Sequence, residues 1–352
     1  MDNIQDICVE EGVTVGESIM KLDSAGKKVL LVTKEHRLTG IITDGDVRRW
    51  ILKKGAFDAD VSKMMHKDPR VVKKGEHEKA KNIMIDMQLV AVPIVDENNI
   101  PIDIIFWHDI VGEPERKYNE IEVPVVIMAG GKGTRLYPYT DILPKPLIPI
   151  GQTTILERII DSFYKNGCKE FWLTLNYKKN LIKAYLDDKD KEYKVNYVEE
   201  ESFLGTCGSI KLLENKIAGS FFVSNCDVLI DVDYAELLNY HQKNENELTV
   251  VTSLKHMQMP YGVIELNEGG AIHRIIEKPS YSCNINTGIY VMEASIIKYI
   301  PENQVFHMTD LMNRLLNENR KIGAYPITEQ RWQDMGEIGE MRKMISSFQD
   351  NL

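Results

Sequence analysis

From Val123 to Glu200 the chain alternates apolar runs with helix-period segments, and this alternation restricts the fold more than any other feature. "VPVVIMAGG" is almost continuously apolar, as expected of a strand covered on both faces. "TTILERIIDSFYKNG" then places Leu156, Ile159, Ile160 and Phe163 on one helical stripe. Thr154 and Glu157 have capping-box spacing ahead of that stripe, and Gly167 is placed to stop the helix. "EFWLTL" reads as the next strand, "KKNLIKAYLDD" as the next helix and "YKVNYVEE" as another strand. The alternation predicts an α/β domain, Rossmann-like, with a mainly parallel mixed sheet and right-handed crossovers. Ligands of such sheets bind at the carboxyl ends of the strands, where "AGGKGTRL" and "SNCDV" fall.

The first third of the chain is organised differently. "VLLVTKEHRLTGIITDGDVRRWI" reads as strand, turn, strand, helix, and "AVPIVDENNIPIDIIFWHDIV" repeats that order from Ala91. Each copy follows a helix-period segment, "VGESIMKLDSAG" in the first and "EHEKAKNIMIDMQ" in the second. Two similar half-units predict one pseudo-symmetric module over residues 1–112. "GEPERKYNEIEVP" is polar, with alternating charge and two prolines, and residues 113–122 read as a linker. The second domain then takes residues 123–352, and 352 residues suffice for two domains at roughly 100–200 residues each.

The totals set bounds. Forty-three Lys and Arg against 53 Asp and Glu give a formal charge of −10, which argues against nucleic acid or an anionic membrane as the main partner. Local basic clusters still bind phosphate. Five scattered cysteines without a C-x-x-C predict free, reduced thiols in a cytoplasmic protein. The first residues show no basic-then-apolar leader, and no apolar run reaches about 18 residues, so no membrane span is expected. The eight histidines lack metal-ligand spacing; His108 reads as a loop or interface residue, and the methionines of "KNIMIDMQ" as core.

The chemistry concentrates in "VVIMAGGKGTRLYPYTDILPKPLIPIG". Gly130, Gly131 and Gly133 allow close backbone approach and aim several N–H groups at an anion. Lys132 and Arg135 add cationic donors, and Lys145 lies between two prolines that stiffen its backbone. No G-K-[ST] opens a helix, so this is neither a P-loop nor a dinucleotide fingerprint.

The string "GGKGTRLYPYTDILPKPLIPI" resembles the signature of the sugar-phosphate nucleotidyltransferases over residues 123–352. That resemblance implies an enzyme that takes a nucleoside triphosphate and a sugar 1-phosphate and releases pyrophosphate and a nucleotide-sugar. It implies that Ala129, Gly130, Gly131, Gly133, Thr134 and Arg135 hold the triphosphate and that Lys145 stabilises the α-phosphate. Asp227 in "SNCDVL" and Asp334 in "RWQDMGE" match the family's metal ligands, for Mg²⁺. Gly262, Glu277, Lys278, Asn286 and Thr287 match its sugar-phosphate side. "VEEESFLGTCGSI" resembles the base-reading loop, with Gly205 and Thr206 in its L-G-T-x-G. Counting back from Gly205 reaches Glu200, with Glu199 and Glu201 as the neighbouring candidates. An ionised carboxylate is acceptor-only and suits the N1–H and N2–H₂ donors of guanine better than the mixed edge of uracil or thymine, so GTP is the expected triphosphate.

The repeat resembles a pair of cystathionine-β-synthase (CBS) motifs, a regulatory module, through Gly40, Ile41, Ile42, Thr43, Asp44, Gly45 and Asp46. That implies an AMP, ADP or ATP site using Thr43 and Asp46; the alternative is a packing and dimerisation module that binds no nucleotide. The second copy keeps Asp109 but has Phe106 where the first has Thr43. A CBS pair ahead of such a transferase resembles bacterial enzymes that make GDP-glucosamine for nonulosonic (legionaminic-type) acid synthesis. The implied sugar is glucosamine 1-phosphate. The alternatives are mannose 1-phosphate, CTP or UTP as the nucleotide, and a non-catalytic adenine-nucleotide sensor. A homo-oligomer is expected because CBS pairs usually stack.

Overall fold

The computed structural model of the chain describes residues 4–87, 89–107 and 121–349. Its residues fall into two compact units. The first takes Met1–Lys117, Leu254–Asn284 and Pro326–Gln330, and the second Tyr118–Ser253, Ile285–Tyr325 and Arg331–Leu352.

Within the first unit the repeat read from the sequence is a repeat in space. Strands Val29–Lys34 and Arg37–Thr43 form an antiparallel hairpin, as do Ala91–Val95 and Pro101–Phe106. Each hairpin carries one register irregularity near the end of its first strand, between Val32 and Thr33 and between Ile94 and Val95. A short strand pairs parallel to each, Cys8–Glu10 in the first copy and Val72–Lys73 in the second. Helices Val15–Ala25 and His77–Met87 precede the hairpins, and Asp44–Leu52 follows the first. The apolar faces close on two cores, one with Ile19, Leu30, Leu31 and Ile42, the other with Ala80, Met84, Val92 and Ile105. Met84 is core as expected, whereas Met87 is exposed. His108, Asp109 and most of the expected linker lie outside the described residues.

A seven-stranded sheet runs in the order Lys194–Glu199, Glu170–Leu175, Val125–Ala129, Ser220–Asn225, Ser280–Glu293, Leu248–Gln258, Ile322–Thr328. The first four strands pair parallel, and Ser280–Glu293 pairs antiparallel to Ser220–Asn225. The sheet is therefore mixed, with its parallel part where strands and helices alternate in sequence. Val125–Ala129 lies inside the sheet, between Glu170–Leu175 and Ser220–Asn225, and period-2 alternation explains the apolar run of Ser220–Asn225. Phe221 and Val223 face a core with Ile296, Met308 and Leu311. Phe222 faces the other way, against Phe163 of helix Ile155–Tyr164 and Tyr234, with ring centroids 5.4 and 5.6 Å away. The predicted stripe of that helix, Leu156, Ile159, Ile160 and Phe163, is buried throughout. The predicted cap is also present: the Glu157 amide donates to the Thr154 hydroxyl and the Thr154 amide to the Glu157 carboxylate, 3.2 and 2.9 Å.

All five cysteines are free thiols. Burial pushes the Cys168 and Cys226 thiols up to about 12, so both stay protonated at neutral pH. Among the described residues no helix is long and apolar enough to cross a membrane.

Candidate functional site

Four parallel strands end along one edge at Ala129, Leu175, Glu199 and Asn225. The residues that leave them there are Gly130, Asn176, Glu200 and Cys226–Asp227, so parallel pairing in register delivers distant segments to one place. The glycine-rich turn opens directly from the interior strand Val125–Ala129. A Cβ on Gly130 would collide with the Glu200 carboxylate, and Gly133 adopts φ +65°, a left-handed conformation that favours glycine. Lys132, Thr134 and Arg135 are exposed beyond it.

Lys145 is buried, and its ammonium pairs with the Asp227 carboxylate. Asp334 arrives on strand Trp332–Asp334, which pairs antiparallel with Val228–Ile230 and sets Asp334 opposite Val228. The Met335 amide donates to the Asp227 carbonyl, 2.8 Å. Two carboxylates far apart in sequence thus share one site. Burial first, and the Asp227 charge second, raise Asp334 to about 6, while Lys145 and Arg135 oppose the shift. Mutual repulsion of two such carboxylates is what a divalent cation relieves. Among the described residues no group of three or more His, Cys, Asp or Glu is placed to hold a metal. Two carboxylates alone fit a hard cation that takes its remaining oxygens from phosphate and water, as Mg²⁺ does.

The acidic run divides into distinct environments. Glu199 is exposed and pairs with Lys179 and Lys183, which hold its carboxyl at about 2. Glu201 is exposed. Glu200 is only 4% exposed, and one carboxylate oxygen accepts the Leu204 amide at 3.0 Å while the other abuts Gly130. Burial raises its carboxyl above the usual range. The Asn176 side chain donates to the Glu200 carbonyl, 3.3 Å. Gly205 has φ +83°, and a Cβ there would lie 2.6 Å from the Phe306 carbonyl oxygen. Thr206 accepts the Met308 amide, 3.2 Å.

The residues expected on the sugar side are placed less uniformly. Gly262, Glu277 and Lys278 belong to the first unit, where a Cβ on Gly262 would lie 3.1 Å from the Glu277 carboxylate. Asn286 and Thr287 lie within strand Ser280–Glu293 rather than in a loop. The Asn286 side chain donates to the Tyr290 hydroxyl, 2.8 Å, and accepts the Gly288 amide, 3.0 Å. Thr287 is 2% exposed and its hydroxyl donates to the Val251 carbonyl, 2.8 Å. Its side chain therefore braces the sheet. Asn225 is a residue that sequence reading passed over. Gly288 has φ +86°, and a Cβ there would collide with the Asn225 amide, beside Asp227. An Asn ending an apolar strand just before the Asp is the signal that marks it.

In the first unit, the Thr43 amide and hydroxyl both donate to the Asp46 carboxylate, 2.9 and 2.7 Å, and Arg49 pairs with it. The pair expected to meet a nucleotide thus also caps helix Asp44–Leu52. A cleft in the same unit is lined by Cys8, Glu10, Thr33, His36, Ile100 and Pro101.

A glycine-rich turn, a buried lysine and two carboxylates thus meet at the carboxyl edge of the parallel part of an α/β sheet. Residues 124–351 match the family "Nucleotidyl transferase", and the chain belongs to that family. It is 36% identical over 183 residues to the mannose-1-phosphate guanyltransferase of Yarrowia lipolytica, covering 50% of each chain. It is 34% identical over 222 residues to the bifunctional protein GlmU of Methanococcus maripaludis, covering 60% of this chain and 51% of that one. The chain thus spans about half the length of these relatives. Among solved structures, HddC from Yersinia pseudotuberculosis aligns with a TM-score of 0.51 at 27% identity, over 64% of this chain and 99% of that one. The same protein in complex with GMP-PN aligns with a TM-score of 0.50 at 26% identity, over the same shares.

Proposed function

We propose that the chain transfers a nucleoside monophosphate, GMP in preference, from its triphosphate to a sugar 1-phosphate. A phosphate oxygen of the sugar 1-phosphate attacks the α-phosphorus in line. The new O–P bond forms as the bond from the α-phosphorus to its bridging oxygen breaks, and pyrophosphate leaves with that electron pair. The nucleophile is already an anion at neutral pH, so no general base is needed. The observation that carries the reading is the meeting of Lys145, Asp227 and Asp334 at the strand ends that also bear the glycine turn.

In this reading, Ala129 to Arg135 cradle the triphosphate, and Lys145 and Arg135 offset the charge that builds on the reacting phosphate. Asp227 and Asp334 would hold Mg²⁺, which would supply charge neutralisation and orientation of phosphate oxygens. Glu200, Gly205 and Thr206 read the base, and the burial of Glu200 against Gly130 supports the choice of the central glutamate. Glu277 and Lys278 take the sugar and its phosphate, and Gly262 and Asn286 are assigned to the same substrate by their place in the motifs. We assign glucosamine 1-phosphate as the sugar; the names of the fungal relatives favour mannose 1-phosphate as the second reading.

Residues 1–112 act in this proposal as a CBS-like regulatory and assembly module, 113–122 as linker and 123–352 as the catalytic domain of a cytoplasmic homo-oligomer. AMP, ADP or ATP is its regulatory ligand, near Thr43 and Asp46. Pyrophosphate release, assayed across GTP, UTP, CTP and a panel of sugar 1-phosphates, tests the whole reading. GTP with glucosamine 1-phosphate is expected to turn over fastest, and a preference for UTP would overturn the role of Glu200. Adenine nucleotides are expected to raise the melting temperature; no shift with any of them would sink the regulatory part.

A further inference from the structure

The segment that follows strand Glu170–Leu175 grips the signature loop from outside it. Lys178 adopts φ +49° and ψ +33°, left-handed values that are uncommon for a lysine. Its ammonium donates to the carbonyls of Asp141 and of Ile142, the latter at 2.9 Å. Those carbonyls end the short helix Tyr139–Ile142, where main-chain acceptors lack helical partners and a cation is favoured. The neighbouring Tyr177 acts in the same direction. Its hydroxyl donates to the Thr140 carbonyl at 3.1 Å, and its amide donates to the Gly130 carbonyl at 3.3 Å.

The gripped residues connect directly to the charged ones. The Thr140 hydroxyl donates to the Gly133 carbonyl, 3.1 Å. Gly133 is packed so tightly that a Cβ on it would lie 3.0 Å from the Thr140 methyl and 3.1 Å from the Lys145 Cβ. A shift of the segment Thr140–Ile142 therefore displaces Gly133 and the stem of Lys145 together, and Arg135 lies between them in sequence. Positioning errors of about an ångström cost on the order of a hundredfold in rate when catalysis rests on alignment.

We propose that Lys178 is a positioning residue for nucleotidyl transfer: its ammonium caps the Tyr139–Ile142 turn and so holds the triphosphate loop and Lys145 in register. The inference rests on reading that loop as the triphosphate site.

The test compares the full-length protein with Lys178→Met, Lys178→Gly and Lys178→Arg. Lys178→Met keeps the stem and loses the donors. Lys178→Gly relieves the left-handed backbone and also loses the donors. Both are expected to lower kcat/KM for GTP about tenfold to a hundredfold, with the KM for the sugar phosphate unchanged. Lys178→Arg restores the donors and is expected to recover most of the loss. A purely structural cap would lower the melting temperature and leave the kinetic split unmoved. GTP affinity, measured by calorimetry without turnover, gives an independent readout and is expected to fall in the Met and Gly variants. Wild-type GTP affinity and turnover in Lys178→Met would overturn the proposal. Absence of turnover in the wild type would instead overturn the transfer reading and leave the GTP affinities to decide Lys178.

Discussion

Replacing Glu200 by Gln is the sharpest probe of what this site selects. The substitution keeps the shape of a side chain that is 4% exposed and wedged against Gly130, so packing is preserved. One carboxylate oxygen accepts the Leu204 amide at 3.0 Å, and an amide oxygen can take over that bond. The other oxygen becomes an NH₂ group facing Gly130. A donor then meets the N1–H and N2–H₂ donors of guanine, where the carboxylate offered an acceptor. Leaving such a buried donor unpaired costs about 1–3 kcal/mol, roughly fivefold to 150-fold. Initial rates of pyrophosphate release are therefore expected to drop by that factor in kcat/KM for GTP, with UTP turnover rising. Stability supplies a second readout. Burial raises the folded-state pKa of Glu200, so ionising it opposes folding, and its contribution to stability falls as pH rises through that pKa. The Gln variant is expected to gain on the wild type in melting temperature as pH increases. Unchanged GTP preference in Glu200→Gln would refute the assignment of base reading to this residue.

Three further outcomes follow from the same geometry. Asp227→Asn removes the charge that faces Lys145 and is expected to lower kcat at least about 100-fold; retained Mg²⁺-dependent turnover in a variant with a native circular-dichroism spectrum would sink the metal assignment. Gly288→Ala forces a Cβ into Asn225 at φ +86° and is expected to cost about 1–3 kcal/mol in urea unfolding while impairing turnover; a wild-type unfolding midpoint would contradict it. His241 is fully buried between the Thr249 hydroxyl at 2.8 Å and the Glu293 carboxylate at 3.0 Å, and burial lowers its pKa despite Glu293. Its stability contribution is present above the unfolded value and lost as pH falls through the folded one. The melting temperature is thus expected to drop on acidification below about pH 6.5 more steeply in the wild type than in His241→Gln, and parallel curves would contradict that.

Much of the architecture was legible because it is written in local periodicity. The stripe Leu156, Ile159, Ile160 and Phe163 reports one buried helical face, and that face is buried. The capping pair Thr154 and Glu157 depends on spacing alone, and both of its bonds form. What spacing could not show is that the Glu157 carboxylate also takes the Tyr185 hydroxyl, 2.6 Å, and pairs with Lys189. These partners come from another helix and its end. Thr287 shows the limit from the other side: the motif match gives its place in the chain, but not that its hydroxyl donates to the Val251 carbonyl of another strand.

By itself the sequence determined the repeat of the first third, the alternating elements after Val123, the glycine turn and the identities of the charged residues. Each depends on neighbours within a few positions, which share one stretch of backbone whatever the rest of the chain does. Only the tertiary structure decided that Asp334 lies opposite Val228 beside Asp227, that Glu200 and not Glu199 abuts Gly130, and that Lys178 holds the turn at Asp141 and Ile142. Those choices rest on strand pairing and register. Register is settled by burying whole faces at once, so no short stretch of sequence carries it.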